Sequence, residues 1–329
     1  MTADRRRATP STDPSFVQLT LRKQAPGTVG LDIDGSYLAA AEVHNGAVSR
    51  VASCELSEGI APDGEVRRPD DLAREIKEFF RSESLPRNVR LGVANQQIVV
   101  RQIDLPHIED DRERDRALRF QAAEAVPMPL EDAILDHQVV EQATVDGVAR
   151  DRVVVVAARR TMIERLLEAV RGAGLKVEGI DLSAFALVRT LAGSDVAPAQ
   201  DLARVYCHLG RVTNLVIARG QTCAFTRPLR TSWEGENGHE GELASSLAEE
   251  IRLSIDYHSS LPGARGVADV VLCGPGARVE DLAESLTGVL GRPVSVAEPL
   301  GRLTGCALPP EQDPYRYTIA AGLALGAAA

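Results

Sequence analysis

The sequence predicts an α/β chain built of two similar lobes, and three observations carry that prediction. An apolar strand, a turn rich in Asp and Gly and a second strand run through residues 29–43, with a third strand at 47–56. The same order of strands and turns returns at residues 203–229, so the chain contains a structural repeat. Around both meanders, helices with a 3.6-residue apolar stripe alternate with short apolar strands.

Residues 1–26 are polar, carry Arg5, Arg6 and Arg7, and show no sustained periodicity; they read as a disordered N-terminal arm. Asp32, Gly35 and Ser36 sit in the turn between the first two strands. A carboxylate, a glycine and a hydroxyl suit a phosphate and its metal ion there, and an ordinary Asp- and Gly-rich hairpin explains the same residues. Asn45-Gly46 is a type I′ turn signal leading to the third strand. Residues 69–82 form a helix with Leu72, Ile76, Phe79 and Phe80 on one stripe and Pro69 in the first turn. Strands follow at 88–94 and 97–103. Three antiparallel strands, a helix and further strands adding in parallel make an α/β unit of the ribonuclease H type, here spanning residues 27–103.

Residues 109–125 then form a heavily charged helix with Leu118, Ala122 and Ala125 on one side, stopped by Pro127 and Pro129. Strands at 133–141 and 152–158 flank a loop at Asp146-Gly147, so 104–159 reads as a small inserted subdomain. A helix at 161–172, a strand at 175–180 and a helix at 182–191 continue the first lobe through 160–195, and the loop 192–200 marks the lobe boundary. The second lobe, 201–300, has its meander with a turn at 210–213, a flexible loop at 231–241, and a helix at 242–258 carrying Leu243, Leu247, Ile251 and Ile255. A strand at 268–272 runs into a turn containing Gly274 and Gly276. Backbone donors at such a turn can meet an anion, although a tight strand-to-helix connection needs the same glycines. A helix at 279–290 and a short strand at 294–296 follow. The C-terminal segment, 301–329, crosses at Pro309-Pro310 and closes with a helix at 315–328 that returns to the first lobe.

Composition excludes several classes of function. A net charge of −10 with no basic stripe argues against nucleic-acid binding, and 44% apolar with 26% charged residues is ordinary for a globular protein. Cys54, Cys207, Cys223, Cys273 and Cys306 are scattered, with no CxxC pair, and read as reduced thiols. No apolar run approaches the roughly 18 residues of a spanning helix. The N-terminus lacks the apolar core of a signal peptide, so a cytoplasmic chain is expected. The six histidines form no pairing that suggests a catalytic triad.

The segments RQIDLP at 101–106, RFQAAEAVPMPLEDAILDHQVV at 119–140, VVVVAAR at 153–159, GLKVEGIDLSAFALVR at 174–189, LAEEIRLSIDYH at 247–258 and YTIAAGLALG at 317–326 cover much of the chain in order. With the three glycine turns, they resemble the PilM family of type IV pilus assembly proteins, actin-like relatives of the cell-division protein FtsA. The resemblance implies an actin-like, two-lobed α/β fold with an inserted 1C-like subdomain. Only about 20 residues separate Arg227 from Glu249, too few for the roughly 50 of a small domain. The 2B-like subdomain is therefore expected to be missing and the cleft open on that side.

By the same resemblance, Asp32, Gly35, Ser36, Gly210, Thr213, Gly274 and Gly276 line a nucleotide site, with Glu249 and Arg252 near the nucleoside; an i, i+3 ion pair explains the last two equally well. The implied cofactor is ATP or ADP with Mg²⁺, weakly bound or absent, and Asp32 is the one candidate metal ligand. Departures from the family pattern argue against catalysis. Asp34 stands where the family has Gly, Ala39 where it has Lys, and His208 where it has the Asp that orders Mg²⁺ and the attacking water. No catalytic residue is therefore assigned.

The implied partner is the cytoplasmic N-terminal peptide of a PilN-like inner-membrane protein, lying extended between the inserted subdomain and the first lobe near Phe120, Val126, Pro127, Met128, Pro129 and Leu130. Contact with the membrane and with other pilus assembly proteins would run through such partners. The alternatives are an active actin-like ATPase or sugar-kinase-type phosphotransferase, and an actin-like component of type II secretion.

Overall fold

A computed structural model describes residues 28–145, 147–192, 202–233, 240–261, 263–300 and 312–326. The N-terminal arm, most of the lobe-boundary loop, residues 234–239, Cys306 and the crossing at Pro309-Pro310 lie outside the described residues.

The first sheet begins with β1 (Val29–Ile33), β2 (Tyr37–His44) and β3 (Ala47–Glu55), joined antiparallel. Asn45 and Gly46 both take positive φ between β2 and β3, at 51° and 76°, as a type I′ turn requires. β4 (Asn88–Val93) and β8 (Lys176–Leu182) add in parallel, giving the order β3-β2-β1-β4-β8. The second sheet repeats this with β9 (Ala203–His208), β10 (Asn214–Arg219), β11 (Thr222–Pro228), β12 (Val267–Cys273) and β13 (Val294–Val296), ordered β11-β10-β9-β12-β13. Its first three strands are again antiparallel and its last two again parallel.

Alternation along β2 assigns its two faces. Leu38 and Ala40 join the core beneath α1 (Pro69–Ser82) and α3 (Arg160–Gly172), while Tyr37, Ala39 and Ala41 pack under α7 (Thr318–Leu325). Ala39 is thus a core residue, pressed where a lysine would bury its charge. In the second lobe, α5 (Glu240–Ser259) and α6 (Leu282–Leu290) cover one face of the sheet. Its other face meets the first lobe through α4 (Ser183–Leu191).

The inserted subdomain is a three-stranded antiparallel sheet, β5-β7-β6, formed by β5 (Ile98–Pro106), β6 (Ala133–Val145) and β7 (Val148–Arg159). Ile103, Leu105, Val153, Val155 and Ala157 face α2 (Asp111–Ala125); Val100, Ile134, Val154 and Val156 face the first lobe. With both faces buried, β7 reads as an unbroken valine run, and each fully buried valine contributes about 1.5–3 kcal/mol. Asp110 caps α2 by accepting from the Glu113 N–H at 2.9 Å.

Three expectations need correction. β5, read from sequence as a first-lobe strand, pairs with β7 and belongs to the inserted sheet. The helix expected at 279–290 begins only at Leu282, because Asp281 takes a left-handed φ of 56° after a separate 3₁₀ turn at Pro275–Arg278. The closing helix is shorter than 315–328: Pro314–Tyr317 is a 3₁₀ turn, and Gly326 stops α7 with a φ of 71°. Val126 is buried in the core between α2 and the inserted sheet, and Met128 and Leu130 pack half-buried against it.

Candidate functional site

The three glycine turns converge where the lobes meet. Asp32, near the end of β1, is 3% exposed, and its Oδ2 has no hydrogen-bond partner. Burial, with the Asp34 charge added, pushes its carboxyl well above the usual carboxylate range, against a smaller opposite pull from the Ile33 backbone. A carboxylate so enclosed, with its charge disfavoured by burial, is a poor ligand for Mg²⁺.

Asp34 crosses between the lobes. Its Oδ1 accepts the Arg211 backbone N–H at 2.8 Å and the Ser36 hydroxyl at 3.4 Å. A methyl group built on Gly210 would lie 2.2 Å from Asp34 Oδ2, so the Gly210 turn closes onto this carboxylate. Gly35, at φ 107°, allows the approach from the other side, with the Ala61 carbonyl 2.8 Å from where its Cβ would stand. The Arg211 amide that a phosphate oxygen would need is therefore already bound to a side-chain anion. Thr213 is buried beyond this turn, its hydroxyl unpartnered.

The third turn is also filled. Gly274, at φ 81°, rests against His208, whose Cδ2 and Nε2 would lie 2.9 Å from a Gly274 Cβ. His208 is 1% exposed with neither ring nitrogen partnered, and burial pushes its pKa down to about 4. The Gly276 N–H donates to the Leu209 carbonyl at 2.9 Å, and the Ala277 N–H to Gly274 at 3.0 Å. Trp233 lies on Gly276, its Cγ 2.4 Å from where a Cβ would stand. The cleft expected to be open on this side is thus covered at Gly276 by the chain's own indole. Glu249 and Arg252 are both exposed on α5 and do not pair; Arg252 donates instead to the Val289 carbonyl on α6. Among the described residues, no group of three His, Cys, Asp or Glu side chains is placed to hold a metal.

A second candidate site lies between the inserted sheet and the first lobe, in a cavity of about 300 Å³. Gln138, Val139 and Val140, three consecutive residues of β6, line it, so the free edge of that strand faces the cavity. Val154 of β7 lines it beside them, Phe185, Val188 and Arg189 of α4 form the opposite wall, and the β10–β11 turn closes one end. A smaller adjoining pocket continues past Asp136, His137 and Asp181. Arg189 is fixed there by an ion pair with Asp181 and by donation to the Gly322 carbonyl at 3.1 Å. Burial pushes the Asp136 carboxyl up to about 6, opposed by the His137 N–H that it accepts at 2.8 Å. Of the residues expected at a partner site, Phe120 stands 72% exposed on α2, and Pro127 and Pro129 are exposed, but none lines this cavity.

Sequence reasoning placed GIDLSAFALVR and the strand at 133–141 but not their mutual approach. The alternation Asp136, Gln138, Val140 was the available signal: two polar residues on a strand face turned toward the first lobe.

Residues 30–227 match the family described as "Type IV pilus assembly protein PilM". The chain belongs to the PilM family. A solved PilM-PilN type IV pilus biogenesis complex is similar to this family member over 92% of the present chain and 99% of that one, at 25% identity and a TM-score of 0.76. The ethanolamine utilization protein EutJ from Carboxydothermus hydrogenoformans matches 92% of this chain and 90% of its own at 13% identity and a TM-score of 0.51, a likeness of fold alone. The PilM-family chain thus has the actin-like fold. Among its described residues, no helix is long and apolar enough to cross a membrane.

Proposed function

We propose that this chain is a scaffold of type IV pilus assembly that binds the cytoplasmic N-terminal peptide of a PilN-like inner-membrane protein and does not hydrolyse ATP. The cavity between β6 and α4 carries this reading, supported by the likeness to a PilM-PilN complex. A free strand edge offers main-chain hydrogen bonds to an extended peptide, and Phe185, Val140 and Val188 offer an apolar wall for alternate side chains. The protein would sit at the inner face of the membrane through this partner.

The test is calorimetric titration with a synthetic peptide from the cytoplasmic tail of the PilN-like protein encoded beside it. Phe185→Ala is expected to weaken binding at least about tenfold, the loss of one apolar anchor. No heat with the unaltered chain would refute the reading. Heat that Phe185→Ala leaves unchanged would refute this location for it.

Three features support the absence of turnover: the Asp34 carboxylate on the Arg211 amide, Trp233 on Gly276, and the enclosed Asp32. The residues present do not fit a Mg²⁺-bound triphosphate. Mg-ATP is expected to leave thermal unfolding of the natural chain unchanged. Asp34→Gly removes a charge-assisted hydrogen bond worth about 1.5–3 kcal/mol and frees the Arg211 amide, so a nucleotide-dependent rise in melting temperature is expected in the variant alone. Phosphate release by the natural chain that Asp32→Ala abolishes would overturn this part of the proposal.

A further inference from the structure

A cavity of about 620 Å³ opens on the other side of the inserted sheet, where that sheet meets the second lobe. Residues 98–101 of β5 and 225–228 of β11 line it, four consecutive positions on each strand. Successive side chains of a strand point to opposite faces, so a cavity that meets four in a row meets the strand's edge. β5 and β11 are each the outermost strand of their sheet, and no ladder joins one to the other. Two strand edges therefore face one space.

α5 supplies the third side. Leu253 is 55% exposed and Tyr257 44%, one helical turn apart, and the Tyr257 ring lies 5.3 Å from that of Phe225. Large apolar side chains left in water beside open edges mark a docking surface. The charged lining has one sign. Arg101 and Arg227 line the cavity and no Asp or Glu does; Glu249 and Asp256, exposed on α5, stay outside it. Arg227 is steadied by donating to Ser254 Oγ at 2.9 Å and to the Glu250 carbonyl at 3.0 Å. Arg101 donates to the Val100 carbonyl of its own strand at 2.9 Å.

We propose that this cavity docks an extended segment of a partner protein in which apolar and acidic residues alternate. The segment adds as a strand to the β5 edge, sets its apolar side chains against Leu253 and Tyr257, and presents its carboxylates to Arg101 and Arg227. The volume falls within the roughly 300–1,000 Å³ of sites that enclose a few groups, which suits a short stretch of chain and not a whole domain. Charge argues against two other occupants. Residues 1–26 carry Arg5, Arg6, Arg7, Arg22 and Lys23 against Asp4 and Asp13, the wrong sign for an arginine-lined cavity. In a second copy, the exposed Phe120 stands on α2 with Arg116 and Arg119 as well as Glu124 around it, so it brings no net negative charge. The cavity shares no lining residue with the β6 groove and stands whether or not the peptide reading of that groove holds.

The probe is a displayed library of random twelve-residue peptides, selected on the full chain, with the enriched sequences then synthesised and measured by fluorescence anisotropy. Expected is a family that alternates aromatic or aliphatic residues with Asp or Glu. Its binding should weaken at least about tenfold with Leu253→Asp and with Arg101→Glu, and stay unchanged with Phe185→Ala, which reports the β6 groove. Unchanged circular dichroism verifies that each variant folds. Changing the acidic residues of the peptide to Lys should abolish binding, and bound peptide should slow amide exchange within 98–101. Selection that yields no such family, or one indifferent to both Leu253→Asp and Arg101→Glu, overturns the proposal. Self-association of the natural chain that Leu253→Asp abolishes would make a second copy the occupant, and a synthetic peptide of residues 1–26 that binds with the same sensitivities would make it the arm; either result overturns the partner.

Discussion

Replacing Gly322 with alanine is expected to destabilise the chain by at least about 3 kcal/mol, beyond the usual 1–3 kcal/mol of overpacking, because the clash is with backbone. A Gly322 Cβ would lie 2.0 Å from the Ala186 carbonyl oxygen, 2.5 Å from its carbon and 2.6 Å from Thr190 Oγ1. On the neighbouring face, a Gly30 Cβ would lie 2.0 Å from the Ala320 carbonyl oxygen and 2.5 Å from the Ala324 nitrogen. The closing helix α7 is thus wedged between β1 and α4 at two glycine contacts, and no rotamer change can relieve either. The sign of the effect is diagnostic. In a helix free of tertiary contact, Gly→Ala stabilises by about 1 kcal/mol, so a loss can come only from docking. Urea denaturation measures it, and a Gly322→Ala chain as stable as the natural one would show that α7 does not pack this way. The same variant should also weaken peptide binding. The Gly322 carbonyl accepts from Arg189, which lines the β6 groove, so displacing α7 moves a wall of that site.

The legible parts of this fold were those set by local chemistry. The doubled strand order came from strand and turn composition, and Asn45-Gly46 announced its turn because only a few residues tolerate two successive positive φ values. Helices declared themselves by stripes such as Leu72, Ile76 and Phe79. What escaped depends on contacts between distant residues. Nothing local in 97–103 says that it pairs with β7 and not with β4, since both choices bury valines. Asp34 was read only as a departure from the family's glycine. Its actual role depends on Arg211, 177 positions away. Trp233 sits in a Gly- and Glu-rich loop with no periodicity, so its place on Gly276 could not be foreseen. The proline-rich stretch at 126–130 was expected at a docking groove from the family resemblance alone. There Val126 is buried in the small core between α2 and the inserted sheet, and Met128 and Leu130 pack half-buried against it.

Acidification from about pH 6.5 to about pH 4 is expected to remove stability traceable to His208. Its folded pKa is about 4 against an ordinary value of 6.5, a difference of about 2.5 that converts at 1.36 kcal/mol each to a term on the order of 3 kcal/mol. The pKa is depressed in the folded state, so between these values the unfolded chain takes up a proton that the folded chain refuses. The contribution is therefore fully present above pH 6.5 and is lost as pH falls through the folded pKa. Asp136 works in the opposite sense. Its carboxyl is raised from 3.8 to about 6 in the folded state, so its contribution is present below about pH 4 and lost as pH rises through 6. The two slopes overlap and partly cancel in the natural chain, which is why a variant is needed to separate them. His208→Leu keeps most of the side-chain volume against Gly274 and removes two unpartnered ring nitrogens. Its stability should lie near that of the natural chain at about pH 7 and exceed it by about 2–3 kcal/mol at about pH 4.5, read from urea unfolding at both values. If the difference between the two chains is the same at both pH values, the imidazole is not held neutral between the second and third turns. Its burial at the end of β9 would then need another explanation.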